Sequence, residues 1–93
     1  DLEERVRKAV NEAQEEAKRN NLDENEAALE AALRLGVVVL VVVDSEEQAE
    51  RVAKYVHKLV PSVRVVIYNN LVFFHVDTDE EARRVYEAAE RAQ

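Results

Sequence analysis

Asp44 and Asp77 are the residues of this chain whose types and positions most suggest chemistry. Each follows an apolar run and stands directly before a helical pattern. If both runs ended at the same end of a sheet, the two carboxylates would have the starting geometry of a glycosidic acid and base. A negative residue before a helix also complements the positive end of the helix dipole. We expect this second role for both aspartates.

The hydroxyl side chains offer candidate nucleophiles, but each has a local explanation. Ser45 and Thr78 occupy positions where a helix N-cap is expected, and Ser62 falls in the turn after Pro61. A nucleophile needs a base beside it, and the sequence shows no such pair. We therefore expect a protein that is not an enzyme and takes no small-molecule substrate.

Metal and phosphate sites have little support in the composition. The chain has no cysteine, and its histidines, His57 and His75, belong to separate predicted elements. Zinc would need more ligands than these two. Gly36 is the only glycine, and it is predicted to end a helix. The sequence therefore has no glycine-rich phosphate loop. The sequence predicts no metal and no cofactor.

Length and charge limit the partners. The 93 residues predict one domain, residues 1–93, and the net charge of -7 comes from 13 basic and 20 acidic residues. The basic residues are interspersed with acids, so we expect neither nucleic acid nor an anionic membrane as partner. No secretory segment or membrane-spanning run is visible, which predicts a soluble chain.

The composition is unusual for a natural domain of this size. There is one glycine, one proline, no methionine and no tryptophan. Acidic and basic residues pair repeatedly at i,i+4, as in Glu3/Arg7, Glu47/Arg51 and Glu87/Arg91. Such regularity is a habit of protein design. We expect a designed chain with no natural compartment, produced in the cytoplasm of an expression host.

Seven elements follow from hydrophobic periodicity, caps and turns. The predicted order is helix 2–18, helix 23–36, strand 37–43, helix 46–60, strand 63–68, strand 71–76 and a last helix opened by Asp77 or Thr78. The first helix has a thin, alanine-rich stripe, whereas the second, with Leu29, Leu33 and Leu35, is predicted to be core. Helical spacing also places Tyr86 in the core. The sequence leaves undecided whether Tyr55 and Tyr68 anchor an interface.

These elements predict an α/β fold with a three-stranded mixed sheet and helices available for both faces. A right-handed crossover makes the first two strands parallel, and the Asn69-Asn70 hairpin makes the second and third antiparallel. Strand orders 1-3-2 and 1-2-3 both satisfy these rules. The apolar Phe73 and Phe74 suit a central third strand and Arg64 suits an edge, which favours 1-3-2. The first strand is an edge in either order.

That first strand is the candidate functional site. It has no polar residue on either face and no lysine or proline to prevent pairing with another chain. Its seven residues are Val37, Val38, Val39, Leu40, Val41, Val42 and Val43. The alternatives are an edge hidden by the first helix, or one simply left unguarded.

Residues 36–93 resemble a class of de novo designed heterodimer protomers. The resemblance lies in the valine run 37–43, the crossover 46–60 ending in Pro61, the segment 63–74 and the ending 84–89. Those designs pair open edge strands into one continuous sheet, with neighbouring helices packed beside the seam. The resemblance implies that the valine strand is the template for a partner chain.

The sequence-based hypothesis is therefore a designed binding module that forms a heterodimer by adding a partner's strand at residues 37–43. Seven strand residues are too few for a stable interface, so we expect the first or second helix to contribute. The alternatives are an idealised monomer with no partner, a homodimer through the same edge, or a trap for a peptide that adds as a strand.

Overall fold

The computed structural model describes residues 1–37 and 39–93, so Val38, one of the predicted site residues, lies outside the described residues. The predicted order of elements is confirmed. The elements are α1 (Leu2–Arg19), α2 (Glu24–Leu33), β1 (Val39–Val42), α3 (Glu46–Leu59), β2 (Arg64–Tyr68), β3 (Leu71–His75) and α4 (Asp79–Ala92). Within the described ranges, none of these helices is long and apolar enough to cross a bilayer.

Two compact units divide the chain, one of residues 1–36 and one of residues 37–93. The prediction of a single domain stays a prediction. The first unit is a pair of helices, α1 and α2, and the second contains the sheet with α3 and α4.

The helical unit begins both helices, and ends α1, close to the residues that the sequence marks. Asn20 caps α1, and Asn21 turns the chain with a positive φ of 58°. The Asp23 carboxylate accepts hydrogen bonds from the N–H groups of Asn25 and Glu26 at the start of α2. Gly36 has a φ of 86°, the left-handed conformation predicted for it, although α2 itself already ends at Leu33.

Burial within this unit agrees with the prediction in α1 and differs from it in α2. The first helix buries Val6, Val10 and Ala17, which all lie on its predicted apolar stripe. In α2 the buried residues are Ala28, Ala31 and Ala32, while Leu33 is exposed. The prediction of Leu33 as core is wrong, because the three alanines already occupy the buried side of a short helix.

The sheet has the predicted order, β1-β3-β2. Both pairings are antiparallel, with Val41 opposite Val72 in one and Val66 opposite Phe73 in the other. β1 and β2 do run in the same direction, as the crossover requires, but β3 separates them. The predicted mixed sheet is therefore wrong, since no two neighbouring strands are parallel.

Both helices of this unit cover the same face of the sheet. α4 packs against β1, and α3 packs against β2 and β3. The core between the helices and the strands contains Val39, Val41, Val43, Ala49, Val52, Ala53, Val56, Val60, Val63, Val72, Phe74, Val76, Val85, Ala88 and Ala89. Side chains alternate along a strand, so Leu40, Val42, Val66, Leu71 and Phe73 point to the other face.

The two helices after strands start in the same way. Ser45 Oγ accepts from Gln48 N at 3.1 Å, and Thr78 Oγ1 accepts from Glu81 N at 3.1 Å, which confirms both predicted caps. Each helix returns a bond from its third residue: Gln48 Oε1 accepts from Asp44 N, and Glu81 Oε1 accepts from Asp77 N. The aspartates thus precede the caps and are held through their backbone.

Candidate functional site

The valine edge is shorter than predicted. Among the described residues, Val39–Val42 form the strand, and Val37 and Val43 lie outside it and are buried. β1 has β3 on one side, and no other strand in the described part of the chain pairs with it. The edge position predicted for the first strand is therefore confirmed for Val39–Val42.

The side chains of β1 divide sharply between the two faces. Val39 and Val41 point into the core beneath the helices and are 1% and 7% exposed. Leu40 is partly buried on the opposite face, where Val42 is 43% exposed. A molecule that approaches this edge meets the side chains of Leu40 and Val42.

The backbone of β1 has the same alternation. Val43 N donates to Asn70 O at 3.0 Å, and Val43 O accepts from Asn70 Nδ2 at 3.0 Å, so both backbone groups of Val43 point toward the hairpin. In an antiparallel ladder this direction recurs every second residue. Val39 and Val41 therefore bond to β3, while Leu40 and Val42 direct their N–H and C=O groups away from it.

Asp44 limits this edge at its end. Its N–H belongs to the outward-pointing series, but Gln48 Oε1 accepts it at 3.0 Å. Gln48 thereby occupies a donor that another strand would otherwise use. The backbone available to a partner in the described strand is consequently that of Leu40 and Val42.

Helix α4 forms the flank of this edge. Leu59, Val60, Arg84 and Ala88 line one cleft, which identifies the side of α4 that faces α3. Helical spacing places Tyr86 on the other side of α4, away from α3 and toward the free side of β1. Tyr86 is 48% exposed, so its predicted burial in the core is wrong. Val85, Ala88 and Ala89 occupy the buried positions instead.

The paired-aspartate idea is excluded by the strand directions. Asp44 follows the end of β1 and Asp77 follows the end of β3, and these strands are antiparallel. The two aspartates lie at opposite ends of the sheet, roughly 25 Å apart at the ordinary rise of a strand. Two carboxylates at this separation cannot act on one glycosidic bond.

The Glu81 carboxylate accepts two hydrogen bonds. Ser62 Oγ donates to Glu81 Oε2 at 2.6 Å, and Asp77 N donates to Glu81 Oε1 at 3.1 Å. These two hydrogen bonds, helped by the nearby Arg84 and His75, lower the pKa of the Glu81 carboxyl below its ordinary value of 4.5. The contact ties the loop before β2 to the start of α4.

Among the described residues, no group of three His, Cys, Asp or Glu side chains is placed to hold a metal ion. His57 lies exposed on α3, and His75 lies at the end of β3 opposite Arg64.

The comparisons with protein families and with curated proteins find no match for this chain. No protein-family model matches the chain. A search of curated proteins likewise finds no match.

Sequence reasoning missed two residues that shape this edge, Asn70 and Gln48. Asn70 was predicted only as a turn former, yet its side chain binds Val43. Gln48 had a readable signal, because residues 43–49 (VDSEEQA) and 76–82 (VDTDEEA) share one pattern. An acceptor three residues after a Ser or Thr cap commonly returns a bond to the backbone before the helix.

Proposed function

We propose that this chain is a designed protein-binding module that accepts an extended strand of a second, different polypeptide at the free side of β1. It is one protomer of a heterodimer. The observation that carries the proposal is the edge itself: Leu40 and Val42 direct backbone donors and acceptors outward beside the exposed side chain of Val42. Strand addition satisfies these groups in the way they are satisfied inside a sheet.

The side chains of β1 support this function over the alternative of an edge strand that binds no partner. Natural edges carry lysine, proline or inward-pointing charge to discourage pairing. Residues 37–43 contain none of these, and the only charged residue adjoining them is Asp44. An edge with this composition favours pairing, as an interface strand requires.

A different chain is a better partner than a second copy. Each copy carries a net charge of -7, so two copies repel each other over the range of a Debye length. A partner with positive net charge is attracted instead and associates faster. These charges favour the heterodimer over the homodimer.

The strand alone does not make the whole interface. A stable pair usually buries about 1,200–2,000 Å² in total, which four strand residues cannot supply. Exposed side chains on the flanking helices must contribute the rest. Main-chain bonds then give affinity, and the flanking side chains give selectivity.

Proline substitution tests this proposal at the level of single N–H groups. Val42→Pro removes an outward donor and leaves the β1–β3 ladder intact, because the Val42 N–H points away from β3. Val65→Pro is the matched control: in the β2 hairpin register Val65 is also an outward residue, at the other edge.

The measurement is size-exclusion chromatography with light scattering, first on the chain alone over a wide concentration range and then with candidate designed partner chains. We expect a monomer that forms a 1:1 complex, lost in Val42→Pro and retained in Val65→Pro. Circular dichroism establishes that both variants fold. Equal loss in folded forms of both variants contradicts the assignment to β1, and a dimer of the chain alone supports self-pairing.

A further inference from the structure

We infer that the incoming strand runs antiparallel to β1 and that Tyr86 of α4 is the side-chain anchor that packs over it. This inference rests on the proposed function, since it specifies how the same edge receives its partner. It assigns an orientation, a flanking helix and a pattern of partner residues.

The connections of the fold define the strand direction that would continue its own pattern beside β1. From β1, the crossover through α3 leads across the sheet to β2, past β3. β3 runs in the opposite direction and its following helix, α4, lies on the same face. A right-handed connection from β3 through α4 therefore leads the opposite way, past β1 to its free side. A strand connected in that way would be parallel to β3 and antiparallel to β1, so an antiparallel partner continues the pattern of the sheet.

Hydrogen bonding favours the same orientation. An antiparallel partner forms two closely spaced pairs of bonds, one pair with Leu40 and one with Val42. Antiparallel pairing is also slightly more stable per residue than parallel pairing. The bond between Gln48 and Asp44 N then limits the seam near the place where the partner's strand begins.

Tyr86 lies where a partner residue would need an apolar contact. The partner residue opposite Val41 points to the face that carries the helices, because Val41 does. α4 starts near the beginning of β1, and Tyr86 is seven residues into it, about 10 Å along the axis. Three strand residues cover about the same distance, which sets Tyr86 beside the middle of β1.

Tyr86 is an exposed aromatic residue on the surface of α4. Its neighbour Ala82 is partly buried against the core, so the two make an apolar strip on the side of α4 away from α3. Tyrosine at the centre of an interface combines a large apolar area with a polar tip, and it is frequent among residues that dominate binding.

These features define the partner's chemistry. It presents an extended segment with an apolar residue opposite Val41 and further apolar residues toward Val42. Asp44 stands at the end where an antiparallel strand enters, so a lysine or arginine near the partner strand's N-terminal end is favoured.

A synthetic peptide tests the orientation. The probe is a nine-residue peptide of alternating Val and Thr with a lysine at each end, blocked at both termini and carrying a nitroxide at one end or the other. It is added to the full, ¹⁵N-labelled chain and followed by NMR. We expect protection of the Leu40 and Val42 amides, and broadening near Asp44 by the N-terminal nitroxide and near Val37 by the C-terminal one.

Variants of two exposed tyrosines test the anchor. We expect Tyr86→Ala to weaken peptide binding about fivefold or more, whereas Tyr55→Ala, an exposed tyrosine on α3, leaves it unchanged. Equal affinities for the two variants overturn the role of Tyr86. The reversed broadening pattern overturns the orientation but leaves the proposed function standing. Absence of any protection at Leu40 and Val42 at millimolar peptide overturns this inference as a whole, while the chromatography with full partner chains decides the proposed function separately.

Discussion

The two edges of the sheet offer the same backbone and very different side chains. At β2, Val65 and Ile67 occupy the outward positions, as Leu40 and Val42 do at β1. At β2, however, the exposed side chain is Arg64, while at β1 it is Val42.

The flanking helices extend this contrast. Leu59 marks the side of α3 that faces α4, and helical spacing places His57 and Glu50 on the opposite side, beside β2. Both are exposed. Beside β1 the corresponding strip of α4 is Ala82 and Tyr86. Free N–H and C=O groups are therefore not enough to define a binding edge, and the side chains around them decide whether a partner gains apolar contact or must desolvate a charge.

The largest expected effect is on the unfolding free energy, when lysine replaces one or the other of two neighbouring β1 residues that face opposite sides of the sheet. Val41→Lys places a charge in the core and should cost several kcal/mol of unfolding free energy, roughly 3–5, or prevent folding. Val42→Lys should change it by no more than about 0.5 kcal/mol, because Val42 is on the exposed side. Urea denaturation measures both.

The comparison of Val41→Lys with Val42→Lys also shows at which position a lysine can be used to test partner binding. Val42→Lys should abolish complex formation in a chain that remains folded. A large loss of stability in Val42→Lys would mean that this face of β1 is enclosed and not free for a partner.

A smaller effect is expected in amide hydrogen exchange along each edge. The outward N–H groups of Leu40 and Val42 should exchange at least about tenfold faster than those of Val39 and Val41, which bond to β3. The same alternation should appear at β2, with Val65 faster than Val66. NMR exchange rates at neutral pH give these ratios, and protection of Leu40 equal to that of Val41 would show that the β1 edge is already covered.

The smallest expected effect on the unfolding free energy concerns the hydrogen bond between Ser62, in the loop before β2, and Glu81. Because the pKa of Glu81 is lowered in the folded chain, its ionised carboxylate stabilises the fold above pH 4.5. That contribution is lost as the pH falls below 4.5 and the folded group takes up its proton. The difference in unfolding free energy between the parent and Glu81→Gln should therefore shrink from pH 6 to pH 3.

Glu80→Gln, at an exposed position on the same turn, is the control for this titration. Urea denaturation at several pH values compares the three chains. A constant difference between the parent and Glu81→Gln across this range would contradict the assigned role of the carboxylate.

Local signals predicted most of the architecture. Caps at Ser45 and Thr78, the turn at Asn69 and the stop at Gly36 are set by interactions within a few residues, so they can be read from the chain. The strand order followed from the apolar Phe73 and Phe74, both of which are fully buried in the central strand. The first strand's place at an edge followed from the same topology.

Other features could not be read in this way because they depend on contacts between distant residues. Tyr86 fits the helical stripe of α4 by spacing, but the position of α3 decides which side of that stripe is covered. The bond from Asn70 to Val43 joins residues 27 apart. The separation of Asp44 and Asp77 depends on the antiparallel pairing of β1 with β3.

By itself, the sequence determined where helices and strands form, that the first strand is apolar throughout and that the chain is acidic. These properties come from side-chain type and short-range periodicity. Only the tertiary structure decided that two residues of β1, Leu40 and Val42, face outward, that Gln48 closes the end of the edge and that Tyr86 stands beside it. The pairing register and the packing of α4 on β1 set these positions, and both are products of long-range contact.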